Sequence, residues 1–373
     1  MELRGTGWPG ERSENSPIGA ADTALTANKH SQFWIFVHPW WMLLFLATVL
    51  EQLDLAHEHV IKGDVHNARF GLMLTDNAIE LIFHRLAKDQ SSKLKSFMHG
   101  KEEYPHRDVL DKALGRAFDA KVKFAKLDGK LSDEDAQTIT IMHSLRNEVY
   151  HVGLQHEAIL PALALFYFEV VCTHLSRYKV GSYGWGSNQQ FPERAKKYFK
   201  GTKFSPGSPD DFVAGCATLA QSCGHVSAQT IATLHEHLSE VVSRQNTYID
   251  VISGGVYKGQ ETTRDNAVID SQVWPLAFSE EGKQFGRERG YRGSIKDFIP
   301  WLTKEYPLKF KGDPIPGWRK RVEKLRIEKN PHTALFKYHA FMSDTAKLRE
   351  ELEEACGQVE AEIDAAIDRA RGK

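Results

Sequence analysis

The chain has 373 residues, enough for about two or three domains that each bury a core. With 41% hydrophobic and 26% charged residues it has the composition of a globular protein, which excludes a chain disordered along its whole length. A formal net charge of -1 excludes a polybasic protein, so any contact with nucleic acid falls to local patches.

Residues 1–31 are polar, rich in Gly, Ser, Thr and Asn and without periodicity, and read as a disordered leader. They run into an apolar stretch, residues 33–50, about as long as a bilayer-spanning helix needs to be. His38 and Pro39 interrupt that stretch, and the apolar periodicity continues past it through Leu46, Val49, Leu50, Leu53, Val60 and Ile61, alongside Glu51, Gln52 and Asp54. One amphipathic helix from Met42 to Lys62, closed by Gly63, explains the pattern better than a membrane span or a signal peptide. Asp64 caps the next helix, which runs to Lys88 and is apolar on most sides, hence central. Asp76, Asn77 and Glu80 sit within it. A carboxylate there is costly to bury alone and calls for a cation; Arg146 is the partner the sequence offers, unless both acids face water beside Arg85.

After a charged connection over 89–107, a single helix is expected from Arg107 to Lys126 on the stripe Leu110, Leu114, Phe118, Val122 and Phe124, ending at the turn Asp128-Gly129-Lys130. Ser132 and Asp135 resemble a capping box for the helix that follows, along which Ile139, Met142, Leu145 and Val149 recur at helical spacing. The end of this helix turns abruptly polar: Arg146-Asn147-Glu148-Val149-Tyr150-His151. Asn147 and His151 share a face one turn apart, and Arg146 lies roughly 100° round from Asn147. Arginine's planar fork matches phosphate oxygens, and histidine gives and takes a proton near neutral pH, so the set suits phosphodiester cleavage without a metal. The plain alternative is an Arg that pairs at a helix end and a His on polar surface. A last helix, from His156 to Arg177 with Pro161 in its first turn, completes an antiparallel bundle of about four or five helices.

The string from Arg146 to His151 resembles the signature of the HEPN superfamily, in which an Arg, a polar residue after it and a His about four to six positions after the Arg end one helix of a small bundle. The likeness extends over about residues 42–180. It implies a metal-independent endoribonuclease, without cofactor, whose site forms where two copies of the motif meet across a homodimer. In that expectation Arg146 stabilises charge on the phosphoryl group and His151 is general acid or base while the RNA's own 2′-hydroxyl attacks. Asn147 orients the phosphate or His151, and Asp76, Glu80 and Tyr150 support them. His143 has no required role, whereas a metal site built from His143, Asn147 and His151 would need it. The expected setting is that of a toxin or antiviral defence effector acting on RNA, with an antitoxin or regulatory partner. Two other readings belong to different classes: a non-catalytic HEPN-like module that binds nucleotide or RNA or scaffolds, and a membrane-attached regulator using residues 33–50.

Between Arg177 and Phe204 the cations Lys179, Arg194, Lys196, Lys197 and Lys200 are interleaved with Tyr178, Tyr183, Trp185, Phe191, Tyr198 and Phe199. Cations for phosphates and aromatics for stacking suit single-stranded RNA; the alternative is a connection, residues 181–208, whose aromatics pack onto the bundle. Pro206, Gly207 and Pro209 mark a boundary. In the region 209–373 that follows, a helix is expected over 227–251, residues 253–293 are Gly-rich and resist assignment, and further helices are expected over 294–304 and, strongly basic, 318–329. The last helix, 335–371, repeats Leu348, Leu352, Ala355, Val359, Ile363 and Ile367, a coiled-coil-like stripe that packs within the chain or pairs two subunits. The expected fold class is therefore all-α, an N-terminal bundle followed by a second helical region. The four cysteines, Cys172, Cys216, Cys223 and Cys356, are too scattered for a disulfide framework and fit a reducing, cytoplasmic setting. Cys216, Cys223 and His225 lack the second ligand pair of a zinc site and read as ordinary groups.

Overall fold

The structure, a computed structural model, describes residues 42–95, 104–151, 157–180, 183–186, 189–202 and 205–372. Among them are helices α1 to α13 and no strand, so the chain is all-α. The leader, and the part of the apolar stretch before Met42, lie outside the described residues. The apolar residues from Met42 to Leu50 open α1 (Met42–Val60), where Leu43, Leu46, Val49 and Leu50 are fully buried by other helices. No helix among the described residues is long and apolar enough to cross a membrane.

Gly63 turns the chain at φ 73°, a left-handed conformation that suits glycine, and the Asn67 backbone N–H donates to Asp64 Oδ1 at 3.0 Å to start α2 (Val65–Lys95). This helix lies in the middle of the N-terminal bundle, in contact with α1 and with all four helices that follow it. One of the expected helices is two. The stretch 107–126 divides into α3 (Arg107–Ala113) and α4 (Phe118–Leu127), because its stripe serves two cores. Leu110 and Ala113 join Phe124 and Ala87 in a small separate cluster, whereas Phe118 and Val122 enter the main core; the chain re-aims between them at Leu114 and Gly115.

Ser132 Oγ accepts from the Asp135 backbone N–H at 3.0 Å at the start of α5 (Asp133–His151), whose Ile139, Met142, Leu145 and Val149 are buried. Pro161 stands in the first turn of α6 (Leu160–Leu175), where its missing N–H costs nothing. Beyond the connection, Ser208 and Asp211 form a capping box at the start of α7 (Pro209–Ser222), which packs on α1 and α6. The remaining helices are α8 (Ser227–Gly254), α9 (Arg264–Phe278), α10 (Glu280–Glu288), α11 (Ile295–Glu305), α12 (Ile315–Arg326) and α13 (Pro331–Ala370).

One hydrophobic core runs from Met42 in α1 to Leu352 in α13 and takes in Tyr178, Phe191 and Phe199 of the connection on the way. A smaller core of Val273, Leu276, Phe298 and Leu302 joins α9 to α11. Helix α13 packs along α8, and its first turn is fastened to α5: Asn330 Nδ2 donates to Glu134 Oε1 at 2.6 Å, and His332 Nδ1 lies 2.7 Å from Thr138 Oγ1. The helix that carries the polar motif is thereby held at its start by the C-terminal half of the chain and along its length by the bundle.

Candidate functional site

Asp76 is the centre of the site. It stands on the inner face of α2 with its carboxylate fully buried, where a lone charge would be heavily penalised. Three side chains from two other helices meet it. The Tyr167 hydroxyl of α6 donates to Oδ1 at 2.9 Å, and His143 Nδ1 of α5 lies 2.9 Å from Oδ2. Arg146 Nε stands 3.3 Å from the same Oδ2, within ion-pair distance but off the hydrogen-bond line, so that this buried nitrogen has no hydrogen-bond partner among the described residues. Burial and the neighbouring Asp76 charge push the Tyr167 phenol well above its ordinary pKa, which keeps it a hydrogen-bond donor.

His143 is fixed on a second side. Its ring stacks on Phe118 of α4, with centroids 3.7 Å apart and planes 5° from parallel. A carboxylate accepts only, so Nδ1 carries the proton and Nε2 of the neutral ring carries the lone pair. The imidazole is thus held in one tautomer and one orientation, and the side chain is mostly but not wholly buried. The Arg146 side chain is partly exposed, and its guanidinium donates through Nη1 to Asn147 Oδ1 at 2.7 Å. A fixed cation for phosphate and an oriented imidazole for proton transfer therefore stand within one turn of α5.

The other residues that the sequence singled out divide in several ways. Glu80 does not join the Asp76 cluster; its Oε1 accepts from the buried Lys121 of α4 at 2.6 Å. Asn77 donates to Gln52 on the exposed side of α2. Tyr150 and His151 close α5, and their side chains lie outside the described residues. His143 is the residue the sequence reading missed as a member of the site. The available signal was its place one turn before Arg146 and Asn147, opposite a helix with an acid that needs partners. No group of three His, Cys, Asp or Glu with metal-holding geometry occurs among the described residues. His225 instead turns its two ring nitrogens to Glu169 and Thr230, and Cys172, Cys216, Cys223 and Cys356 are buried free thiols.

Most of the aromatics of the connection are arranged inward. Tyr178, Phe191 and Phe199 are buried in the core, and Trp185 packs edge-on to Phe191, so these rings are spent on packing; Tyr183 is half exposed. Of the cations, Arg194 reaches Asp54 of α1 at 3.0 Å and also Glu58, Lys197 reaches Asp54 at 2.6 Å, and Lys196 meets Glu193. Lys179 and Lys200 are exposed. Asp54 is as deeply placed as it is because this segment supplies its counter-charges.

No family model, curated protein or solved structure matches the chain.

Proposed function

We propose that the chain is a metal-independent endoribonuclease of the HEPN kind, working as a homodimer and serving as a toxin or antiviral defence effector. The observation that carries this reading is the buried Asp76, which fixes the tautomer of His143 and stands against Arg146 at the polar end of α5. Cleavage by the RNA's own 2′-hydroxyl needs a base to take that proton, a cation for the charge on phosphorus and an acid to protonate the departing 5′-oxygen. Arg146 is the cation. His151, from the resemblance, and His143, from its geometry, are the groups that move protons, and the products are a 2′,3′-cyclic phosphate and a 5′-hydroxyl.

The test is cleavage of mixed RNA by the purified chain with and without EDTA. Activity that persists in EDTA and drops about 10²- to 10⁴-fold in His151→Ala and in Arg146→Ala supports the reading. Arg146→Lys restores only part of it, because an ammonium lacks the bidentate fork. Cleavage abolished by EDTA, or none by the wild type, overturns it.

A second reading, a non-catalytic interaction module, draws on the connection. There Arg194, Lys196 and Lys197 are engaged by carboxylates, so the segment that best suited RNA by composition has much of its charge neutralised locally. A folded wild type that cleaves no RNA, whether or not it binds it, distinguishes it.

A further inference from the structure

The C-terminal half contains a cleft of about 580 Å³ between α9 and α13 whose two sides differ in chemistry. On α9, Trp274 and Phe278 are one turn apart, stacked with centroids 6.3 Å apart, and 53% and 58% exposed. Isolated exposed apolar residues are common, but two adjacent large rings beside a cleft, with Val359 of α13 also in its lining, form an apolar seat without a partner among the described residues. Helix α13 extends that seat, since its stripe passes from buried Leu352 through half-buried Val359 and Ile363 to exposed Ile367.

The remaining lining is acidic. Asp270, Glu351, Glu354 and Glu362 line the cleft, no Lys or Arg does, and none of these carboxylates forms an ion pair among the described residues. Nearby cations are engaged elsewhere: Lys347 stands 3.8 Å from Glu281, and Lys283 and Arg287, on the far side of Phe278, stand 3.1 and 3.9 Å from Glu280. Burial raises the pKa of Asp270, and it raises that of Glu351 together with Glu350 and Glu281 and against Lys347, as expected where counter-charge is short.

We propose that this cleft seats a basic amphipathic helix of a partner protein. Its apolar residues lie against Trp274, Phe278 and Val359, and its Lys or Arg side chains face Asp270, Glu351, Glu354 and Glu362. Helix-in-groove binding needs an apolar trough with a rim of the opposite charge, and cations gain further from the exposed Trp274 face. The acidic rim repels phosphates, so this surface is separate from any RNA contact and the inference is independent of the nuclease reading.

The probe is a synthetic amphipathic helix of Leu and Lys, about four turns long, titrated calorimetrically into the full chain. Two comparison peptides are the same pattern with Glu for Lys and a scrambled order of the same Leu and Lys. One site per chain is expected for the Leu/Lys helix, at least about tenfold weaker binding in Trp274→Ala/Phe278→Ala and in Glu354→Lys/Glu362→Lys, and no binding of the Glu peptide. The glutamates are exposed, so their substitution leaves the fold intact even where the aromatic pair does not. Three results overturn the proposal: no binding of the Leu/Lys helix, binding by both sets of variants as tight as by the wild type, or binding of the scrambled peptide as tight as that of the Leu/Lys helix. Sedimentation that shows self-association of the chain alone, lost in Trp274→Ala/Phe278→Ala, assigns the cleft to a second copy and likewise overturns it.

Discussion

Two buried aspartates, Asp54 in α1 and Asp76 in α2, have nearly the same partners. Each accepts from a tyrosine hydroxyl, Tyr198 for one and Tyr167 for the other, and each stands against an arginine, Arg194 or Arg146. They differ in the third partner and in where the partners come from. Asp54 draws Arg194, Lys197 and Tyr198 from one short stretch of the connection, which makes it a clasp that fastens that stretch to α1. Asp76 draws His143 and Arg146 from α5 and Tyr167 from α6, and its third partner is an imidazole instead of an ammonium. An Arg and a Tyr around a buried Asp are accordingly ordinary structural chemistry in this chain. The oriented histidine is what sets Asp76 apart.

The largest effect expected from this contrast is on stability. Asp76→Ala takes the buried acceptor from Tyr167, His143 and Arg146 and is expected to cost about 3–5 kcal/mol in urea denaturation, the range for breaking a buried ionic network at one partner. A loss near zero would mean that the network is not formed in solution. Arg194→Ala removes a partner from Asp54 while Lys197 and Tyr198 remain, so a smaller loss of about 1–2 kcal/mol is expected.

The pH response comes next. Burial raises the pKa of Asp54, but hydrogen bonds from Lys197 and Tyr198 and the charges of Lys197 and Arg194 outweigh it and hold the carboxyl below its ordinary 3.8. A folded-state pKa below the unfolded one gives stability that is present above pH 3.8 and is lost as the pH falls from there through the folded value. Asp54→Asn should therefore be less stable than the wild type at pH 7, with the difference shrinking below pH 3.8; a constant difference would contradict the assignment. The smallest effect is expected at Lys196, whose partner Glu193 is exposed: Lys196→Ala should leave the denaturation midpoint unchanged.

The contrast also explains what could be read in the sequence. Where helices carry regular apolar stripes the reading was close, as for α1, α5, α8 and α13, because burial of one face fixes both the helix and its orientation. It faltered where glycine is used for close packing. Residues 253–293, Gly-rich and mixed, resist assignment from the sequence, yet α9 and α10 lie within them; a Cβ at Gly282 would come 2.0 Å from the Leu276 carbonyl oxygen, and one at Gly286 2.8 Å from the Phe298 ring. These glycines mark contact between helices and not a loop. The division of α3 from α4 was hidden because one stripe can serve two cores.

In the site, an acid on a mostly apolar helix announced that Asp76 needed a cation, and the structure puts Arg146 beside it. His143 was less legible because its role depends on three helices meeting: α2 supplies the carboxylate, α4 the stacking Phe118 and α5 the ring. In the connection, composition left two readings open, an RNA surface or aromatics packed on the bundle, since cations and aromatics have the same makeup whether they face solvent or, as with Arg194 and Phe199, the protein.

The most direct test of the account compares Asp76→Asn with Asp54→Asn in RNA cleavage, in EDTA, at a temperature where circular dichroism shows both variants folded. Asn keeps the volume of Asp but removes the charge that opposes Arg146 and can hold His143 in the wrong tautomer. The account predicts that Asp76→Asn loses at least about 10²-fold in rate, as expected when proton transfer is misdirected, and that Asp54→Asn stays within a few-fold of the wild type. Equal losses in the two variants, full activity in Asp76→Asn, or a wild type that cleaves no RNA would contradict it.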